Sequence, residues 1–104
     1  MFARKVYMHL KPNSAKELVQ KLEKDIIPRL RKEKGFRDEI AFVSPSGKRA
    51  FAISLWDGKE SAEAYDRGTY QEVLKSLATL IDGTPRVKMY KVSNSTFHKV
   101  AVAV

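Results

Sequence analysis

A strand with no polar side constrains this chain more than any other feature. In the stretch from Lys48 to Tyr65, KRAFAISLWDGKESAEAY, residues Arg49 to Trp56 alternate in two sets. Phe51, Ile53 and Leu55 belong to one face, and Ala50, Ala52, Ser54 and Trp56 to the other. A half-solvated strand carries Lys, Glu or Thr at every second place; none stands between Phe51 and Trp56. Both faces are therefore expected to be covered. The small face, ending on the only tryptophan, leaves volume that close helix packing fills or that floors a pocket.

The rest of the chain supplies partners for that strand. Phe2 to Leu10 reads as a first strand, with Phe2, Arg4, Val6, Met8 and Leu10 on one face and Lys5, Tyr7 and His9 on the other. Ser14-Ala15-Lys16-Glu17 is a capping-box pattern. It opens a helix predicted to about Lys34, with Leu18, Val19, Leu22, Ile26 and Leu30 as its apolar stripe. Pro28 should kink or tighten the last turns. Gly35 suits the position after the helix, with Phe36 folding back.

A second strand is expected over 37–44, joined to the third by Ser44-Pro45-Ser46-Gly47. Helical pieces near 59–67 and 70–81 follow, bent at Gly68, with further capping patterns at Asp57-Gly58-Lys59-Glu60 and Thr69-Tyr70-Gln71-Glu72. Asp82-Gly83-Thr84-Pro85 reads as a turn before a fourth strand over 86–92. The order β-α-β-β-α-β is ferredoxin-like α+β: a four-stranded antiparallel sheet with two helices on one face. Residues 1–97 make one domain, and 98–104 a tail. The stretch from Phe97 to Val104 is expected to be ordered, packing on a partner subunit or pairing with it as an extra strand.

Composition narrows the function classes. A chain of 104 residues buries only roughly 60–70% of its unfolded surface, so a partner chain would help. There is no cysteine, hence no disulfide, no Cys-based zinc site and no thiol nucleophile; His9 and His98 are too few and too far apart for a metal cluster. The opening MFARKVYMHLK is charged throughout, and no apolar run approaches the ~20 residues of a membrane span. A soluble, cytoplasmic protein is the expectation. The formal charge of +8 is spread out; its densest patch, Arg29, Arg31, Lys32 and Lys34, falls at a helix end, where cations suit the dipole.

These features resemble the antibiotic-biosynthesis-monooxygenase-like group of small dimeric α/β-barrel proteins. The resemblance rests on Pro28, Gly35-Phe36, Leu55-Trp56, Ser61-Ala62, Ala64-Tyr65 and Tyr90-Lys91-Val92, and spans residues 2–97. It implies a homodimer with sheets face to face, and a cofactor-independent oxygenation of a small aromatic or polyketide-type compound. Some members oxidise quinol precursors with oxygen alone, some degrade haem, and many have no assigned reaction. The haem-degrading branch places its ligating histidine four residues after an aromatic of the second helix; after Tyr70 that position is Leu74. Haem ligation in that manner is not expected, and no cofactor or metal is implied.

Trp56, Tyr65 and Tyr70 are the candidate walls of a substrate pocket between the small face of the third strand and the second helix. His9 is the one candidate catalytic base, because an imidazole titrates near ~6.5. A non-catalytic ligand-binding or structural homodimer competes with the enzyme, since no stronger base is evident. RNA binding is the remaining class. Arg49-Ala50-Phe51-Ala52-Ile53 and Val6-Tyr7-Met8 loosely follow the strands of an RNA-recognition domain. Ala50 and Ile53 break the pattern, and Ile40, Phe42, Ile53 and Leu55 suit a sheet-to-sheet interface better than an RNA platform. Nucleic acid is therefore not expected as a partner.

Overall fold

The computed structural model describes residues 1–100. Strands β1 (Phe2–Leu10), β2 (Phe36–Val43), β3 (Arg49–Trp56) and β4 (Ile81–Lys91) form one antiparallel sheet in the order β2-β3-β1-β4. Helices α1 (Ala15–Lys21), α2 (Ile27–Leu30), α3 (Lys59–Arg67) and α4 (Thr69–Leu77) complete the ferredoxin-like order. They bury one face of the sheet. Val6, Met8, Leu10, Ala50 and Trp56 meet Leu18, Ile26, Leu30, Ala62, Val73 and Leu77 there. Among the described residues the opposite face carries no helix, and Phe51, Ile53 and Leu55 on it are only half-buried within the chain.

The first helix widens just before Pro28, where a kink or a tightening is expected. Residues Leu22–Ile26, between α1 and α2, are π-helical, and the Ile27 N–H donates to the Leu22 carbonyl five residues back. Pro28 lacks an N–H and its ring crowds the carbonyl four residues earlier, so the turn before it opens. The stripe gains from this. Leu18, Leu22, Ile26 and Leu30 repeat every four residues, a spacing that drifts by about 40° per step around a 3.6-residue helix. The wider turn absorbs part of that drift. Val19, one place off the repeat, is 49% exposed rather than part of the stripe.

Helix starts also differ from the capping patterns. No side-chain cap bond forms at Ser14, and Gly58 and Gly68 are the N-cap residues of α3 and α4. Their backbones start those helices where a side-chain oxygen was expected. Gly68 separates the two helices as its position predicts, with its N–H shared between the Ala64 and Tyr65 carbonyls. The first helix ends at Leu30 and α4 at Leu77, each a few residues earlier than the periodicity suggests.

β4 begins at Ile81, and Asp82-Gly83-Thr84-Pro85 belongs to the strand rather than to a turn before it. Leu10 pairs with Ile81 and His9 with Asp82, then the register shifts before Tyr7 meets Arg86. Gly83, at φ 70°, and Pro85, which has no N–H, sit in the bulged part. Gly35 adopts φ 82°, and a Cβ there would stand 2.2 Å from Ser61 Oγ. The absence of a Cβ lets the end of the first helical stretch approach Ser61 of α3 closely. Residues 97–100 of the predicted extra strand lie in no strand of this chain, and its remainder lies outside the described residues. His98 Nε2 contacts Asp38 Oδ2, tying the tail to β2.

Candidate functional site

A bulge in β2 sets the site. Phe36 pairs with Trp56 and Asp38 with Leu55, so Arg37 is the extra residue. The shift turns Glu39, Ala41 and Val43 towards the helices and leaves Asp38, Ile40 and Phe42 on the outer face. Glu39 then pairs with Ser54, and Ser54 with Arg4. A row of three polar side chains crosses β2, β3 and β1 under the helices.

Arg4 and Ser54 are held by their neighbours. The Arg4 guanidinium, 2% exposed, donates to Asp66 Oδ1 on α3 at 2.7 Å from Nη2 and 3.1 Å from Nε. It also lies 3.8 Å from the Tyr70 ring centroid and 5.1 Å from that of Tyr65. The Trp56 indole N–H donates to Ser54 Oγ at 2.8 Å, and Ser54 Oγ donates to the Arg4 carbonyl at 3.3 Å. Trp56 stacks on Tyr65 with centroids 5.1 Å apart, and Tyr65 leans on Tyr70 at 5.8 Å. One buried guanidinium therefore organises two tyrosines, and one tryptophan fixes the serine between Arg4 and Glu39.

Over this row lies a cavity of about 40 Å³, room for roughly two or three waters. Ala41, Ala50 and Ala52 form its floor; Leu22 and Ile26 of the π turn, with Tyr70 of α4, form walls. Alanines floor it because side chains there would meet the helices, which is the volume that the small face of β3 implies. Ala41 is exposed, so the cavity opens along β2. One pole is apolar; the other presents Arg4, Glu39, Ser54, Tyr65 and Tyr70.

Two buried polar atoms among the described residues lack a protein partner, Glu39 Oε1 and Tyr70 Oη, and both residues line this cavity. Burial pushes the Glu39 carboxyl up to about 8, and the Arg4 charge offsets only part of that rise. Burial also raises the phenols of Tyr65 and Tyr70, again with Arg4 opposing. The tyrosines are thus neutral hydroxyls at ordinary pH, while Glu39 can exchange a proton near neutrality.

The structure brings together two of the four predicted site residues. Tyr65 and Tyr70 line the cavity. Trp56 is fully buried behind Tyr65 and supports the wall without lining it. His9 is exposed on the outer face, its ring 5.6 Å from Tyr7 at a right angle, and it does not line the cavity. The parity of β1 fixes this: His9 alternates with Met8, which faces the helices. Arg4 and Glu39 were missed as site residues. Arg4 was legible as the one charge on the apolar face of its strand, and Glu39 by its two-residue spacing from Ala41.

Among the described residues no three His, Cys, Asp or Glu cluster as a metal site, and no helix is long and apolar enough to cross a membrane. No family model and no curated protein matches the chain. Solved structures do match it. A monooxygenase of Streptomyces coelicolor in complex with nanaomycin D superposes with TM-score 0.77 at 16% identity, over 94% of this chain and 92% of that one. A protein of unknown function from Nitrosomonas europaea gives 0.76 at 17%, over 98% and 95%. A proposed antibiotic biosynthesis monooxygenase of Deinococcus radiodurans gives 0.73 at 15%, over 91% and 95%. The resemblance carried by Gly35-Phe36, Leu55-Trp56 and Ala64-Tyr65 thus holds for the fold, which at these identities is what such likeness shows.

Proposed function

We propose that the cavity binds a small phenolic or quinol-type aromatic compound and oxygenates it without a cofactor, with Glu39 as the base. The observation that carries this is Glu39 itself: a carboxyl raised to about 8, with a free buried oxygen, at the polar pole of an apolar cavity. A phenol titrates near ~10, so transfer of its proton to Glu39 is uphill by only about two units. The phenolate formed would lie near Arg4, whose positive charge favours it. Such an anion is electron-rich enough to reduce oxygen. For conversion of a phenol to a quinone, one oxygen atom enters the ring and the other leaves as water, the ring giving four electrons to O2.

Admission of a ring requires more room than the resting cavity offers, and the π-helical turn carrying Leu22 and Ile26 is the wall placed to move. Fold neighbours that include a monooxygenase with a bound ligand support the reading. A plain ligand-binding role is the second reading, favoured by the small volume of about 40 Å³. Oxygen uptake with a panel of hydroquinones and polycyclic phenols separates the two. The proposal expects one O2 consumed per substrate without added metal, a kcat lowered by about 100-fold or more in Glu39→Gln, and no change in His9→Ala. Binding without uptake would leave the second reading.

The same proposal includes a homodimer. Ile40 and Phe42 are 38% and 43% exposed, beside Phe51, Ile53 and Leu55 on the outer face. A second copy would cover this apolar half. Sedimentation at micromolar concentration tests it, a stable monomer being the contrary result.

A further inference from the structure

One short segment grips the buried guanidinium from two sides. Asp66, next to last in α3, accepts from Arg4 Nε and Nη2 on the same oxygen, Oδ1. Four residues on, across the break at Gly68, the Tyr70 ring centroid lies 3.8 Å from the guanidinium carbon. The Asp66 carbonyl accepts from Gln71 Nε2 at 3.0 Å, which ties the end of α3 to the start of α4.

This grip also decides where Arg4 does not go. Arg4 and Glu39 line the same cavity, on one row with Ser54 between them. Glu39 Oε1 and Tyr70 Oη have no protein partner, so the guanidinium bonds neither. Pairing with the free Glu39 oxygen would satisfy the cation too; Asp66, partly exposed on α3, takes it instead. No other ionised group lines this space. The first helical stretch faces it with Leu18, Leu22 and Ile26, and α4 with Tyr70, Val73 and Leu77. Tyr65 of α3 is a neutral hydroxyl, and Glu33 bears on Tyr65.

We propose that Asp66 is a positioning residue: by holding the Arg4 guanidinium against Tyr70, it keeps Arg4 from pairing with Glu39. A carboxylate paired with a guanidinium is stabilised as the anion and is the weaker base. The segment from Asp66 to Tyr70 thus preserves the proton affinity of Glu39 without touching it. This role rests on Glu39 being the base of the proposed reaction.

The test is an NMR titration of the Glu39 carboxyl carbon in Asp66→Asn. With its partner gone, Arg4 turns to Glu39, and the midpoint should fall by about one unit or more. Asp66→Glu, which keeps the charge, should leave the midpoint near the parent's. In an Arg4→Met background, which strands no cation, Asp66→Asn should not move it. Urea denaturation is the second readout. A lower midpoint means a smaller decline in stability between pH 6 and pH 9, so the stability lost in Asp66→Asn should be smaller at pH 9. Several results would overturn the proposal. These are a midpoint unchanged in Asp66→Asn, an equal shift in the Arg4→Met background, a stability loss equal at both pH values, or an Asp66→Asn chain that stays unfolded at pH 9. A shifted midpoint in a protein that oxygenates no phenol would keep Asp66 in this role and count against the proposed reaction alone.

Discussion

Glu39 and Arg4 stand on one transverse row of the sheet, two strands apart with Ser54 between them, and one cavity lies over both. At a strand spacing of ~4.8 Å their backbones are about 10 Å apart, too far for a direct pair without the side chains reaching inward. Arg4 instead spends its hydrogen bonds on Asp66. Glu39 is left buried, with no protein partner for Oε1 and only the Arg4 charge to oppose its rise. That division keeps one buried charge satisfied and the other group uncharged near neutrality.

The Arg4–Asp66 pair is asymmetric, with 2% and 38% side-chain exposure. Removing the exposed partner strands a buried cation, so Asp66→Asn should cost about 3 kcal/mol, while Arg4→Met should cost about 1 or less. Urea denaturation of the two variants measures the difference. Arg4→Met should also move the Glu39 midpoint above about 8, because the one opposing influence is lost.

Stability should fall as pH rises from the ordinary glutamate value of 4.5 to about 8. In that window the unfolded chain releases the Glu39 proton and the folded chain keeps it, so unfolding gains. Thermal denaturation between pH 5 and pH 9 would show a declining Tm, and Glu39→Gln should flatten the decline. A variant with the parent's slope would show that another group titrates.

Ala52→Leu adds volume at the cavity floor, where the resting space is about 40 Å³. Ligand binding should drop by tenfold or more while the melting temperature stays within a few degrees, since filling a cavity offsets the strain of overpacking. Isothermal titration with a phenolic ligand and a thermal melt read the two quantities separately.

Gly35→Ala should destabilise by about 2 kcal/mol or more. The residue sits at φ 82°, and its new methyl would collide with Ser61 Oγ. Gly58→Ala, which meets nothing within 4 Å, is the control expected to cost little by comparison.

Much of this architecture is legible because alternation and glycine placement are local signals. The two faces of β3, the turn at Gly35 and the break at Gly68 all follow from neighbouring residues. The site was less legible because it depends on register. The bulge at Arg37 decides which side Glu39 takes, and Arg37-Asp38-Glu39 reads as a solvated strand start. Asp82-Gly83-Thr84-Pro85 has turn chemistry, yet pairing with His9 and Leu10 draws it into β4. His9 is conspicuous in the sequence as an imidazole; burial, which no single residue reports, is what makes Glu39 the proposed base instead.

Glu39 as the proposed base is tested by titration of its carboxyl carbon by NMR, assigned by its loss in Glu39→Gln. A midpoint near 8 is expected in the free protein, perturbed when a phenolic ligand occupies the cavity. A midpoint near the ordinary glutamate value of 4.5, unmoved by such ligands, would contradict it.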